Sequence, residues 1–255
     1  MKAAVLSFKL ALGAAIASSA LVPAAGPALA QSAGSLLLWP VSPVIEGDQP
    51  AAALWLENPG KAPITLQVRV YAWAQQNGEN VYAAQNDILG TPPILTIAPG
   101  ERQLVRLTRL VPPPGVPEKP YRVVVDQIPT ADAQTTPGAT VTFRMRYSLP
   151  LFSYARPEDA RKKAPAPPPR LAWRPVSEAG GRFLEIRNSG GGHARLSGVA
   201  FSGNGKRSSL NEGLFGYVLP GATMRWPLPE GVDAAGDLEA TLNGKAMARI
   251  ERLPE

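Results

Sequence analysis

From Ile64 to Trp73 the side chains alternate in character. Ile64, Leu66, Val68, Val70 and Ala72 fall on one side of an extended chain, and Thr65, Gln67, Arg69, Tyr71 and Trp73 on the other. A period of two residues predicts a half-buried β-strand. Similar short runs recur along the sequence: Ala53 to Glu57, Ile94 to Ile97, Gln103 to Arg109, Tyr121 to Ile128 and Val141 to Phe152. Turn signals separate them, among them Asn58-Pro59-Gly60, Gln76-Asn77-Gly78 and Pro99-Gly100. Some seven strands at this spacing predict an immunoglobulin-like β-sandwich. A second group follows: Arg182 to Arg187, Ala194 to Phe201, Gly213 to Leu219, Ala222 to Trp226, Leu238 to Leu242 and Met247 to Leu253, with a hairpin turn at Asn243-Gly244. This reads as a smaller, looser sandwich. No helical period competes with either group.

The longest alternation carries the most information. From Val141 to Leu151 every odd position is large and apolar: Val141, Phe143, Met145, Tyr147, Leu149 and Leu151. Two readings stay open. This face packs into the sandwich's own core, or part of the strand is lent to another protein by β-strand addition. A long apolar edge that nothing covers would aggregate.

Composition narrows the chemistry. The 255 residues include 28 prolines and 24 glycines, which disfavour a helical bundle. With no cysteine there is no disulfide framework, thiolate metal site or cysteine nucleophile. The one histidine, His193, leaves no multi-histidine metal centre and reads as an exposed loop residue. Ser189 to Gly192 lacks the Gly-Lys-Ser/Thr ending of a phosphate loop and reads as a flexible hairpin loop. Trp55 and Trp73 are assigned to the first core, and Trp173 and Trp226 to the second domain. No nucleophile–base constellation is visible, so an enzyme is not expected, and no metal or cofactor is called for.

The N-terminus reads as a secretory signal peptide, residues 1–30: Lys2 and Lys9, an apolar run from Leu10 to Leu21, and the small residues Ala28 and Ala30 before a cleavage site. The run is short of a membrane span. Losing the leader removes two lysines and leaves a net charge of about +4. The basic residues are scattered without interleaved aromatics, so nucleic acid is not an expected partner, and neither is stable membrane insertion. An exported, cysteine-free chain points to the periplasm and to stability from core packing. Residues 156–169, with Arg161-Lys162-Lys163 and Pro165 to Pro169, read as a proline-rich linker. It separates an N-terminal domain, 34–155, from a C-terminal one, 170–255.

The order of motifs in the first domain resembles the PapD-like periplasmic chaperones that assemble pili through the chaperone–usher pathway. The pieces are Val44 to Gly47; Leu56 to Gly60; Gln67 to Trp73; Thr91 to Ile94; Ile97 to Leu107; Tyr121-Arg122 with Ile128-Pro129; and Arg146 to Phe152. The ending Tyr147 to Phe152 and the Trp73 to Gln75 neighbourhood are most similar to the archaic, Csu-type branch. The resemblance implies two immunoglobulin-like sandwiches in an L-shaped arrangement. It implies a non-enzymatic chaperone whose partners are pilus subunits with an incomplete fold and an outer-membrane usher. It implies donor residues Val141, Phe143 and Met145, with Tyr147 and Leu149 nearer the base of the strand. Similar proteins grip the subunit's C-terminal carboxylate with an arginine and a lysine. Their places fall here on Pro43 and Pro150, so the usual clamp is missing. Arg122 is the preferred substitute, because a charge inside Arg122-Val123-Val124-Val125 would be costly if unpaired. Arg144 and Arg146 are the alternatives. The competing class is a periplasmic two-domain adhesive or ligand-binding protein.

Overall fold

The structure, a computed structural model, describes residues 36–129, 144–155, 166–203 and 205–254. The leader, its cleavage site, Val141, Phe143 and residues 156–165 of the linker lie outside the described residues. The described residues hold seventeen strands and no helix.

The first sandwich has two sheets. One orders β1 (Leu37–Trp39), β3 (Ala51–Glu57), β8 (Arg102–Arg109) and β6 (Ile88–Thr91). The other runs β2 (Val44–Ile45), β10 (Arg146–Tyr154), β9 (Glu118–Ile128), β4 (Ile64–Gln76) and β5 (Glu79–Ala83), with β7 (Ile94–Ile97) also on β4. Alternation explains the layering. Leu66 and Val68 of β4, Val105 and Leu107 of β8, and Val123 and Val125 of β9 all point into one apolar core. The second part is one seven-stranded sheet: β14 (Lys206–Val218), β13 (Ala194–Gly203), β16 (Asp237–Leu242), β17 (Met247–Arg252), β11 (Leu171–Glu178), β12 (Gly181–Asn188) and β15 (Thr223–Pro227). It surrounds a core that includes Trp173, Leu184, Ile186 and Phe201.

The turns follow their chemistry. Asn77-Gly78 and Asn243-Gly244 both have positive φ at both residues (53° and 81°, 51° and 71°), as a two-residue hairpin turn requires. Asn58 is fully buried, and its amide donates to the carbonyls of Ala62 and Ile97. Asn188 does the same work in the second part, donating to Gly192 and Val218 and accepting from Arg170 and Gly190. The loop after it is not the loose hairpin the sequence reading anticipated. Gly190 and Gly192 lie against the backbone of Pro167 and Pro168 so closely that a Cβ would overlap it.

A small cluster of Trp73, Phe152 and Leu219 joins the two parts. Beside it, Glu118 accepts from the backbone N–H of His193 (3.0 Å) and meets the ring nitrogen Nδ1 (2.8 Å). The imidazole lies flat on Phe152, with ring centroids 3.6 Å apart. His193 is therefore a junction residue rather than an exposed one. Trp73 packs at this junction, and Trp55 sits half-buried on an outer face against Trp39; neither belongs to the first core. The alternation already placed Trp73 on the side opposite Ile64, Leu66 and Val68.

Candidate functional site

The site begins with which way the peptide groups of β10 point. β10 lies between β9, its antiparallel partner along the whole strand, and β2, which covers only Phe152 and Ser153. The Gln127 N–H donates to the Met145 carbonyl, and the Phe152 N–H donates away from β9, to Pro43. Odd residues of the strand therefore bond to β9, and even residues turn outward. Above the two residues paired to β2, the peptide groups of Arg146 and Ser148 and the carbonyl of Pro150 face an edge with no described strand beside it. Pro150 falls where its missing N–H costs the ladder nothing.

The side chains change along the same strand. Leu151 and Leu149 are in the core, the latter only 8 % exposed. Tyr147 packs partly against that core and accepts the Leu36 N–H at its hydroxyl (3.3 Å). Met145 is 38 % exposed. Leu149 is thus removed from the expected donor residues, because the sandwich has already claimed it. Tyr147 stands at the rim and Met145 beyond it.

Arg122 occupies β9 directly across from Pro150 on one side and Tyr71 on the other. The three share the outer face of the sheet. The Arg122 guanidinium carbon sits 3.9 Å from the centre of the Trp73 ring and 5.3 Å from that of Tyr217, which comes from the second part. Its Nε is buried without a hydrogen-bond partner. Burial pulls its pKa below the ordinary arginine value, while Tyr82 and Tyr217 pull the other way, Tyr82 also by a hydrogen bond. Arginine stays charged even so. Among the described residues no carboxylate pairs with it. The result is a cation packed beside two aromatic rings and supplied with phenols instead of an acid.

The other two candidates differ. Arg146 is paired with Asp126, which also takes Arg69 Nη2 at 2.5 Å. Burial pushes the Asp126 pKa up, but hydrogen bonds from Arg146 and Arg69 outweigh it and hold the carboxyl below its usual value. Arg144 is exposed. Of the three arginines, Arg122 alone combines burial with the want of an acidic partner. Sequence reading missed its surroundings: Trp73, Tyr82 and Tyr217 come from three different strands. Only Trp73, on the outward face of the alternation and on the strand next to Arg122, left any trace in the sequence.

The comparisons with known proteins fit this arrangement. The profile described as pili and flagellar-assembly chaperone, PapD N-terminal domain, matches residues 40–160. Among solved structures, the complex of the chaperone CsuC with the tip adhesion subunit CsuE, from the archaic chaperone–usher Csu pili of Acinetobacter baumannii, matches at 31 % identity. That match covers 86 % of this chain and 100 % of the other, with a TM-score of 0.69. The chain belongs to the PapD-like pilus-assembly chaperones. It is a chaperone of the Csu type, and this membership places it in the periplasm. More distant structures share the fold. The chaperone CupB2 of Pseudomonas aeruginosa matches at 15 % identity over 85 % of this chain and 100 % of its own, TM-score 0.57. The complex of the Salmonella enterica pilin SafA with the chaperone SafB matches at 20 % over 82 % and 89 %, TM-score 0.56. No curated protein matched the chain. The two β-sandwich domains expected from the strand pattern are those of this family.

Proposed function

We propose that this chaperone holds exported pilus subunits by lending them Val141, Phe143 and Met145 together with the outward edge of β10, and that Arg122 anchors the subunit's C-terminal carboxylate. The observation that carries the anchor is the register of β9 and β10. Arg122 faces the place, Pro150, where similar chaperones carry a lysine, so the charge stands one strand over. A guanidinium with no described carboxylate of its own suits a subunit carboxylate, which arginine can meet through two parallel hydrogen bonds. The peptide groups of Arg146 and Ser148 supply backbone pairing. Burying three donor side chains is worth about 1.5–3 kcal/mol each. Association and ordering cost several kcal/mol in return, so backbone pairs and the anchor set the balance.

The reaction is capture and transfer without catalysis. The leader is removed after Ala30, domains 34–155 and 170–255 flank the linker 156–169, and the loaded complex passes its subunit to an outer-membrane usher. Co-expression with a pilus subunit is the test. The chaperone is expected to rescue the subunit from degradation and to purify with it one to one. Phe143→Asp should abolish capture while the free chaperone keeps its melting temperature. Arg122→Ala should weaken capture about tenfold or more, the loss of one charged hydrogen-bond pair. Subunit levels that ignore the chaperone would favour a ligand-binding protein instead.

A further inference from the structure

Among the described residues, Gln75 is the one side chain whose amide is used at both ends by a bond across the junction of the two sandwiches. It lies on β4, two residues past Trp73, on the same outward face. Its Nε2 donates to the Tyr217 carbonyl (2.9 Å) and to Asn80 Oδ1 (3.0 Å), and its Oε1 accepts the Leu219 N–H (2.8 Å). A carbonyl at 217 and an N–H at 219 are the pair a neighbouring strand would engage. The side-chain amide therefore stands in for a peptide group at the end of β14. Asn80 links this to the cation: the same Oδ1 accepts the Trp73 indole N–H at 2.8 Å. Tyr217 in turn meets the Trp73 ring edge-on at 5.4 Å and lies over Arg122. One amide thus holds the Tyr217 backbone directly and shares Asn80 with the Trp73 indole.

The hairpin carrying Gln75 is itself docked. Gly78, at its tip, bridges Met224 of β15, and the Arg225 N–H reaches the Gly78 carbonyl at 3.4 Å. A Cβ at Gly78 would come within 3.0 Å of the Arg225 side chain. The turn is thereby seated flush on the second sandwich, and Gln75 is carried to a fixed depth.

We propose that Gln75 is a positioning residue for carboxylate recognition: by holding Tyr217 and, through Asn80, Trp73, it sets the pair of rings against which Arg122 presents its donors. This rests on the anchor role given above to Arg122. It makes recognition of the subunit's end depend on the second sandwich, although the cation belongs to the first.

The test uses the mature chaperone and acetyl-tetra-alanine as free acid and as C-terminal amide, followed by NMR at the Trp73 indole and the Arg122 Nε–H. The wild type should bind the acid about tenfold more tightly than the amide, and Arg122→Ala should lose that preference. Gln75→Ala should weaken the acid about fivefold, the scale of one ordinary hydrogen bond, leave the amide unchanged, and move the free-state indole resonance. If Gln75→Ala matches the wild type in acid affinity and in indole position, the inference is wrong while the anchor stands. If the wild type shows no preference for the acid, the anchor reading fails first, and the indole comparison still decides whether Gln75 holds the rings. Gln75→Leu keeps the bulk and removes the bonds. Should both variants unfold, Gln75 is a folding residue and the positioning role is refuted.

Discussion

At the scale of residues, the long alternation divides into two kinds of side chain that the sequence writes identically. Leu149 and Met145 are both apolar and both odd-numbered, yet one is sealed in the core and the other meets solvent. Period alone cannot show where a strand leaves its own sandwich. Truncation separates them. Leu149→Ala should destabilise the free chaperone by about 2–5 kcal/mol, as core truncations do. Met145→Ala should leave its melting temperature within a few degrees and lower subunit affinity instead. Equal effects of the two on stability would contradict the division. Acid behaviour belongs to this scale as well. Hydrogen bonds from Lys119 and Tyr121 hold the Asp87 pKa below its usual value, and Asp126 is held down by its two arginines against the effect of burial. Carboxyls depressed on folding contribute stability in full above their unfolded value, about 3.9, and lose it as pH falls through the lower folded value. Melting temperature should therefore drop as pH descends below about 4. Asp87→Asn combined with Asp126→Asn should start lower and flatten that slope. An unchanged slope would mean that these ion pairs do not govern the acid limb.

Elements explain why some of this was legible and some was not. Strands that bury one face, such as β4, β8 and β9, declared themselves by alternation. β5 is exposed throughout, β1 has three residues, and β11 carries Pro175 in its middle, so none offers a clear period of two. Arg122 could be suspected from sequence as a charge within a valine run. Its aromatic surroundings could not, because register between β4, β5 and β9 and the approach of β14 are properties of the folded sheet. The outward edge of β10 is another such property, and it can be tested on the backbone. Ser148→Pro removes an N–H that bonds to nothing in the chaperone's own ladder. Subunit capture should fall about fivefold to tenfold, the worth of one backbone hydrogen bond, with a small change in the free chaperone's melting temperature. Loss of the fold instead would show that this peptide group serves the sandwich itself.

The whole molecule couples two sandwiches through a contact that sequence treated as a loop. Glu118, at the start of β9, reaches His193 across the junction; its side chain is 1 % exposed. The His193 ring covers Phe152 at the base of β10. The base of β10, the Arg122 cation and Tyr217 beside it are thus held by both parts at once. Capture by this account is a property of the pair, with one part supplying the edge and the other completing the anchor. Amide hydrogen exchange along β10, in the free chaperone and in its one-to-one complex with a pilus subunit, tests this most directly. The outward amides of Arg146 and Ser148 should exchange fast when free and become protected by a hundredfold or more when the subunit is bound, a scale of about 2.7 kcal/mol, while Leu149 and Leu151 are protected in both. If Arg146 and Ser148 are already protected in the free molecule, or stay unprotected in the complex, the strand edge is not what the chaperone lends.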